Sequence, residues 1–425
     1  MLPPATSYYR LPIRAINGAI QGLNTIGIAN IALDENTLFK MARQATGLRD
    51  FGDERFIPNM RELLRSLENE ADLNPVGRLL TRQSLVRILK HRLLANELLN
   101  KHPEILEREM PSPVVVMGLG RSGTTRLHRL LATDPRFLHL KAWESVNPVP
   151  LPDSFAARSN GAVDPRISGI EKGLKAVLYL SPQIASVHPL GAHEVEEELG
   201  LLQHGFAGQL FEIQAHVPSF AQWLIDNDQS HAYEYMQTLM KIINWYRNDP
   251  QDKPWILKSP HHMEDFSFLL QVFPQAKFIF THRDPVKVMG SLCSLVWHSI
   301  VRDSNHIDPH WVGQEWYEKV DHMLVKTHAL RDSVVHPDRQ FDILYADIHA
   351  DWRAAMQRIY TFLDLPCTEE TLTGMQRWLD GNAQHKHGAH QYNLADFGLD
   401  QQQVDERFKA YRERFDIPYE VRPAQ

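Results

Sequence analysis

Cysteine is scarce in this sequence, with only Cys293 and Cys367 among 425 residues. This number gives no evidence of a disulfide framework and favours a reducing compartment. Long apolar runs are missing as well. The least polar stretch, residues 11–33, contains Arg14 and several amide side chains, which suits a bilayer span poorly. We therefore expect a soluble, cytoplasmic protein in which this stretch docks as an amphipathic helix on the body, the alternative being a membrane-surface helix with one basic residue.

An excess of positive charge is also missing, since 45 Lys and Arg residues stand against 52 Asp and Glu residues, a net charge of -7. The whole chain therefore has no general attraction to nucleic acid or anionic lipid, and any anion site must be built locally. We expect no nucleic-acid partner. Internal repeats and low-complexity tracts are absent too, and the 43% hydrophobic content is typical of a globular protein.

The first hundred or so residues are predicted to be helical. Residues 60–73 and 77–99 place leucines at three- and four-residue spacing among charged residues, the pattern of helices that bury one stripe. The pattern changes after Pro103, and Val114–Met117, which follows Pro113, is a β-branched run suited to a buried parallel strand. The sequence thus predicts a helical N-terminal region over residues 1–110 and a second domain over residues 111–425.

Within the second domain, short apolar runs alternate with helical patterns. Strands are predicted at Trp255–Leu257, Lys277–Phe280 and Phe341–Tyr345, and helices at residues 264–273, 285–298, 311–335 and 347–363. This alternation predicts an α/β fold with a mostly parallel central sheet and helices on both faces. Ligands of such sheets bind at the carboxyl ends of the strands.

The segment Gly118-Leu-Gly-Arg-Ser-Gly-Thr-Thr125 follows the first predicted strand and leads into a helical pattern at residues 126–131. Strand, glycine-rich turn and helix form the context in which backbone N–H groups and a helix N-terminus bind phosphate. Compared with the triphosphatase pattern G-x-x-x-x-G-K-[ST], both glycines and the last hydroxyl match, but Thr124 replaces the lysine. The loop is therefore predicted to bind phosphate in an unusual way.

The cation of this loop is Arg121 instead, three residues before Thr124. The later strand is followed by Lys258, whereas a triphosphatase has an aspartate on a neighbouring strand that helps to hold magnesium. Basic residues at both places predict an anion site that needs no metal. The flanking strand and helix disfavour the alternative of a glycine-rich turn without a ligand.

Arg121-Ser-Gly-Thr-Thr125 after a valine-rich strand resembles the 5′-phosphosulfate loop of the sulfotransferases that use 3′-phosphoadenosine 5′-phosphosulfate (PAPS). The resemblance is closest to the large bacterial-type branch and covers residue 111 to the C-terminus. It implies the P-loop nucleotide-binding-like fold of that family, with PAPS as co-substrate and no required metal. It also implies that the 5′ side of the donor is bound by Arg121, Ser122, Gly123, Thr124 and Thr125.

A second motif of the family, the 3′-phosphate site, has an arginine at a strand end and a serine eight residues later on the next helix. Arg283 and Ser291 match it. An arginine fork plus a hydroxyl suits a phosphate monoester, although Asp284 is an alternative partner of Arg283. Two phosphate motifs in the correct order, each at a strand end, support each other.

Three weaker matches concern the adenine and the closure of the donor site. Tyr345 stands where the family has a tyrosine near adenine, and Arg126 replaces a tryptophan that stacks on adenine in many cytosolic members. A guanidinium can also stack on an aromatic plane. Residues 385–398 resemble the C-terminal segment that closes over the donor, although a surface loop or a histidine-rich metal site would also fit.

Sulfuryl transfer needs cations at the bridging oxygen and a base for the acceptor's proton. Arg121 and Lys258 are predicted to be the cations. Glu144 is the first candidate for the base, because the resemblance aligns it with a base of some branches, and His262 is the second. Further candidates lie close to these in sequence or on the predicted acceptor side: His261, His188 and His193, with Glu194 and Glu196–Glu198.

The sequence therefore leads to the hypothesis of a sulfotransferase that moves a sulfuryl group from PAPS to a hydroxyl or amine. The acceptor is not identified, and a small molecule, a glycan, a lipid or a peptide would each be compatible. A nucleotide kinase on a related loop is one alternative, against which Thr124 argues. A non-catalytic member that only binds the nucleotide is the other.

Overall fold

The computed structural model describes residue 2 and residues 11–25, 31–180, 191–382 and 392–421. Its N-terminal region is helical, as the leucine spacing predicts. The longest helix here begins where Asn74 accepts a hydrogen bond from the Gly77 N–H and Pro75 takes the first helical position. Among the described residues, four α-helices precede the first strand: α1 (Leu11–Thr25), α2 (Glu35–Thr46), α3 (Ile57–Asn69) and α4 (Pro75–Lys101).

Four parallel strands form the central sheet in the order β2-β1-β3-β4. They are β1 (Val114–Gly118), β2 (Ile256–Lys258), β3 (Lys277–His282) and β4 (Gln340–Leu344). The register sets Lys258 beside Val116 and Thr281 beside Gly118. All four strands therefore end at one edge of the sheet, and the strand order reverses at β1, where ligands of such sheets bind. The predicted α/β fold is confirmed.

The remaining helices follow the sequence pattern with two differences. The predicted helix at 347–363 is two helices, because Asp351 breaks it and caps the second helix by accepting from the Ala354 N–H. The helix predicted at 264–273 begins two residues later, at Phe266, after a separate 3₁₀ turn over Pro260–Met263. The helices after β1 are α5 (Thr124–Leu131), α6 (Ala142–Val146), α7 (Pro152–Ser159), α8 (Pro165–Leu180), α9 (Leu199–Leu202), α10 (Leu210–Gln214), α11 (Pro218–Asp226), α12 (Ser230–Arg247), α13 (Phe266–Val272), α14 (Pro285–Ile300), α15 (Pro309–Ser333), α16 (Tyr345–Ala350), α17 (Trp352–Phe362), α18 (Glu369–Gly381), α19 (Gln401–Arg407) and α20 (Lys409–Arg414).

Apolar side chains cover both faces of the sheet, as the alternating side chains of β1 show. Val115 and Met117 join one apolar cluster, while Val114 and Val116 join another. Successive side chains of a strand point to opposite faces, so the two clusters lie on the two sides of the sheet. The smaller cluster is completed by α5, α17 and α18, and the larger by α2–α4, α12, α14 and α15.

The N-terminal helices share the larger cluster with the rest of the chain. Leu89 of α4 is fully buried in it, and Phe56 stacks on Phe206 with ring centroids 5.4 Å apart. Helix α1 contacts α4, where the Asn17 side chain accepts from the Val76 N–H. The boundary near residue 110 stays a prediction. Across the described residues, no helix combines the length and apolarity needed to cross a bilayer.

Candidate active site

The loop between β1 and α5 depends on two glycines. A Cβ atom on Gly118 would lie 2.3 Å from the Thr281 Oγ1 atom on β3, and one on Gly123 would lie 2.6 Å from the Tyr345 ring. Gly123 also has a φ of 91°, which is open to glycine and strained for other residues. Helix α5 begins directly after it, at Thr124. The loop therefore delivers backbone N–H groups and a helix N-terminus to the carboxyl edge of the sheet.

Ser122 ties the loop to the neighbouring strand. Its hydroxyl donates to the Leu119 carbonyl at 2.7 Å and lies 2.7 Å from the Thr281 hydroxyl. Ser122 is fully buried. Its side chain therefore holds the shape of the loop, and contact of this residue with a donor stays a prediction. Arg121, just before it, has a φ of 73°, the kind of strain that proteins keep at functional sites.

The two predicted phosphate motifs lie side by side. The Arg121 Nε atom donates to the Ser291 hydroxyl on α14 at 2.9 Å, and the Arg283 Nη1 atom donates to the Arg121 carbonyl at 2.9 Å. Burial, and then the neighbouring charge of Arg283, lowers the pKa of Arg121. Two guanidinium groups held together in this way attract an anion strongly.

Tyr345 belongs to the same group of residues. The Arg283 guanidinium carbon lies 4.0 Å from the centroid of its ring, whose edge borders Gly123. The resemblance implies that Tyr345 lies near the adenine; the structure places its ring beside Gly123 of the loop, and its contact with a nucleotide stays a prediction. Arg126 is half-buried on α5, and its Nε atom has no hydrogen-bond partner within the described chain. Its proposed stacking on adenine stays a prediction.

Asp284 does not pair with Arg283. It caps α14 by accepting from the Val286 N–H, and it also accepts from the Arg412 guanidinium at 2.9 Å. The partner of Arg283 is Glu420, which accepts from Nε at 2.7 Å and from Nη2 at 2.8 Å. Burial opposes the charge of Arg283, but the Glu420 carboxylate raises the pKa of the guanidinium.

Lys258 lies at the end of β2 with only 1% of its surface exposed. Its Nζ atom donates to the Thr125 hydroxyl of the loop at 3.1 Å and forms an ion pair with Glu197. Both carboxylate oxygens of the next residue, Glu198, accept from the Lys258 backbone N–H, at 3.0 and 3.1 Å. The lysine is therefore fixed beside the loop, as its sequence position predicts.

The first base candidate, Glu144, has structural partners. It is buried on α6, pairs with Arg247 through both oxygens, and accepts from the Lys141 N–H at 3.0 Å. Among the described residues, no hydrogen bond or ion pair connects Glu144 to the loop. Glu144 takes part in a capping box and in an ion pair, and these interactions give its buried carboxylate its partners.

The histidine candidates differ in their burial and in the partners of their rings. His262 is fully buried, with Nδ1 3.0 Å from the Tyr233 hydroxyl and Nε2 3.5 Å from Glu198. Burial by itself would lower the pKa of His261, but Asp265 and Glu264 raise it to about 10, so this ring is a buried cation at neutral pH. His193 is exposed, and His188 lies outside the described residues.

The predicted closing segment is described only from Tyr392 onward; residues 385–391 lie outside the described chain. A Cβ atom on Gly290 would lie 2.6 Å from the Tyr392 ring, so this tyrosine packs on α14 next to Ser291. In the described parts of the chain, no three His, Cys, Asp or Glu side chains are grouped to hold a metal ion.

Two acidic residues, Glu197 and Glu420, have ion-pair partners that only the fold brings close to them. Glu197 appears in the sequence as part of an acidic run, but its pairing with Lys258 follows from the fold. Glu420 is separated from Arg283 by 137 positions, and no local pattern signals their contact. Long-range pairs of this kind cannot be inferred from one sequence.

Comparison with known proteins adds four findings. A family model described as "Sulfotransferase family" matches residues 113–370, more than half of the chain. The chain is similar to the crystal structure of sulfotransferase STF1 from Mycobacterium tuberculosis H37Rv, with 29% identity and a TM-score of 0.76, covering 89% of this chain and 98% of that one. It is also similar to the structure of sulfotransferase STF9 from Mycobacterium avium, with 27% identity, a TM-score of 0.80 and coverage of 92% and 99%.

Among curated proteins, the chain is 26% identical over 334 residues to the omega-hydroxy-beta-dihydromenaquinone-9 sulfotransferase Stf3 of Mycobacterium bovis. The match covers 73% of this chain and 78% of that protein.

Proposed function

This chain belongs to the sulfotransferase family, and we propose that it moves a sulfuryl group from PAPS to a hydroxyl group of an apolar acceptor. The observation that carries the proposal is the hydrogen bond between Arg121 and Ser291, which joins the two predicted phosphate motifs. A nucleotide with phosphate groups at both its 3′ and 5′ positions needs two adjacent anion sites. ATP needs only the loop.

The residues of the loop edge fit such a donor. The glycines of the loop leave room for close approach, and the N-terminus of α5 offers backbone N–H groups to the 5′ side. Arg283 and Ser291 are proposed to hold the 3′-phosphate, as their family motif implies. Tyr345, in contact with both Arg283 and Gly123, is proposed to border the nucleoside.

Lys258 and Arg121 are proposed to stabilise the charge that develops on the bridging oxygen. An ammonium group has three N–H bonds, and within the described residues Thr125 and Glu197 account for two of those of Lys258. The third is available to the oxygen that leaves sulfur. Since the group is almost fully buried, its electrostatic effect is larger than it would be in water.

Glu197 is the base that the geometry supports best. Its side chain is 15% exposed and pairs with the proposed catalytic lysine, whereas Glu144 is committed to Arg247 and His262 is fully buried. In the proposed reaction the acceptor oxygen bonds to sulfur while the bond from sulfur to the bridging phosphate oxygen breaks. The electron pair stays on the phosphate oxygen, next to Lys258, and the acceptor's proton passes to Glu197.

The acceptor class is proposed from the curated relative. The name of Stf3 specifies an omega-hydroxy group on a menaquinone, which is an alcohol on an apolar molecule. We therefore propose an alcohol carried on an apolar molecule, in preference to a glycan or an amine.

The nucleotide-kinase alternative is disfavoured by the chemistry of two positions. Thr124 is buried where a kinase-type loop has its lysine, and Lys258 is paired within the site where a carboxylate would help to bind magnesium. A binding protein without activity would not need the Lys258–Glu197 pair beside the loop.

The proposal is tested by a transfer assay in EDTA, with PAPS labelled in its sulfuryl group and primary alcohols of increasing chain length, including a menaquinone with a terminal hydroxyl. We expect label on the alcohols and little on matched amines. Lys258→Ala should reduce the rate on the order of 100-fold or more, since one group stabilising transition-state charge contributes about that much. Label on amines alone, or a rate unaffected by Lys258→Ala, would contradict the assignment.

A further inference from the structure

The C-terminal part of the described chain places a carboxylate on the cation of the 3′-phosphate motif. Glu420 accepts from two nitrogens of Arg283, at 2.7 and 2.8 Å. The pair is only partly screened, since 19% of the Arg283 side chain and 28% of the Glu420 side chain are exposed. A bidentate pair of this type fixes the orientation of the guanidinium plane as well as its charge.

The segment that carries Glu420 is anchored beside Arg283 by the next residue, Asp284. One oxygen of this buried carboxylate accepts from the backbone N–H groups of Glu420 and Val421, at 2.7 and 3.2 Å. Its other oxygen accepts from Arg412, whose guanidinium carbon lies 3.8 Å from the centroid of the Tyr419 ring. Glu420 is thus held from the same strand end that provides Arg283, so the distance between them is fixed by the fold.

The contacts with Glu420 and Arg121 leave two N–H bonds of the Arg283 guanidinium for a ligand. Glu420 occupies the side formed by Nε and Nη2, and the Arg121 carbonyl takes one N–H of Nη1. Nη1 and Nη2 each keep a second N–H bond that a ligand can accept. The Tyr345 ring packs against the guanidinium, with the guanidinium carbon 4.0 Å from the ring centroid.

We propose that Glu420 is a positioning residue for donor recognition, which directs the free end of the Arg283 fork to the 3′-phosphate. The inference rests on the proposed function, because it assumes that the ligand carries a 3′-phosphate. Glu420 does not touch the donor. It acts through Arg283 by restricting the guanidinium to one orientation, and so lowers the entropy that binding would otherwise cost.

A competing role for Glu420 is physically distinct and predicts a change of donor affinity in the opposite direction. If Glu420 merely occupied Arg283 in competition with the donor, its removal would free a cation and tighten anion binding. The anchoring of Glu420 and Val421 by the buried Asp284 favours positioning, because a competing segment has to leave when the donor binds.

The test is the affinity of the full chain for 3′-phosphoadenosine 5′-phosphate (PAP) and for adenosine 5′-phosphate, measured by calorimetry for Glu420→Ala and Glu420→Gln. We expect Glu420→Ala to weaken PAP binding on the order of tenfold and to change adenosine 5′-phosphate binding little, with a smaller loss in Glu420→Gln. Glu413→Gln is the matched control: it removes one negative charge from an exposed position on α20 and should leave both affinities unchanged.

A second arm separates positioning from a general structural effect. In the Arg283→Ala background, Glu420→Ala should cause no further loss of PAP affinity, because its action passes through Arg283. Unchanged or tighter PAP binding in Glu420→Ala would overturn the inference while leaving the proposed function intact. A wild-type chain that does not prefer PAP to adenosine 5′-phosphate would overturn both.

Discussion

At the scale of single residues, the acidic side chains beside the sheet edge have different partners and hence different roles. Glu197 pairs with Lys258, which contacts the loop, whereas Glu144 pairs with Arg247 at the end of α12. A carboxylate that serves as a base has to reach the acceptor: the Glu197 side chain is 15% exposed, whereas the Glu144 side chain is 2% exposed.

The substitutions Glu197→Gln and Glu144→Gln should therefore have different effects, the first on turnover and the second on stability. We expect Glu197→Gln to reduce turnover on the order of 100-fold or more while PAP affinity stays close to that of the wild type. Glu144→Gln should instead lower the free energy of unfolding by about 1–3 kcal/mol, because Arg247 loses its charged partner. Turnover, PAP affinity and urea unfolding of both variants measure this difference. A stable Glu144→Gln protein without activity, beside an active Glu197→Gln protein, would return the base role to Glu144.

The cations of the site could be predicted from the sequence, because each belongs to a local sequence motif. Arg121 stands in the loop motif, and Arg283 and Ser291 stand at a fixed spacing after a strand. Their hydrogen-bonded contact is what the fold adds. Glu197 and Glu420 could not be assigned, because their partners come from distant parts of the chain and no spacing rule connects them.

At the scale of elements, the turn from β1 to α5 carries the loop residues to the carboxyl edge of the sheet. Gly123 caps α5 with a φ of 91°, and Tyr345 at the start of α16 packs directly over it. Strand, turn and helix could be predicted from the valine run and the glycines. The split at Asp351 could not, because the helical pattern continues across it and only the Asp351 cap, which accepts from the Ala354 N–H, separates the two helices.

Gly123→Ala should disturb both the loop and the tyrosine. The new methyl group would lie 2.6 Å from the Tyr345 ring, and the backbone would adopt a left-handed conformation that costs alanine roughly 1–2 kcal/mol. We expect lower stability and weaker PAP binding together, by thermal unfolding and calorimetry. Gly169→Ala on α8 is the matched control, because its methyl group would meet open space. Wild-type stability and affinity in Gly123→Ala would show that the turn tolerates a side chain.

At the scale of the whole molecule, one apolar cluster extends from the N-terminal helices to the sheet and the C-terminal helices. The sequence predicts helices before residue 110 and a sheet after it, but composition does not reveal that both contribute to one core. Pairing of strands and packing of distant helices depend on contacts between residues far apart in sequence, which a single sequence does not specify.

The whole chain is negatively charged, so an anionic donor has to be attracted by the local group of Arg121, Lys258 and Arg283. We expect two consequences of this group: binding should not require a magnesium ion, and a nucleotide with a 3′-phosphate should be preferred to one without it.

The most direct test is calorimetric titration of the wild-type chain in EDTA with PAP, adenosine 5′-phosphate and ATP, repeated for ATP with magnesium. We predict that PAP binds without metal and at least about tenfold more tightly than adenosine 5′-phosphate. Arg283→Ala should remove that preference, and Arg353→Ala, which removes an exposed charge on α17, should keep it. Tight binding of ATP only with magnesium, and no preference for PAP, would contradict the account.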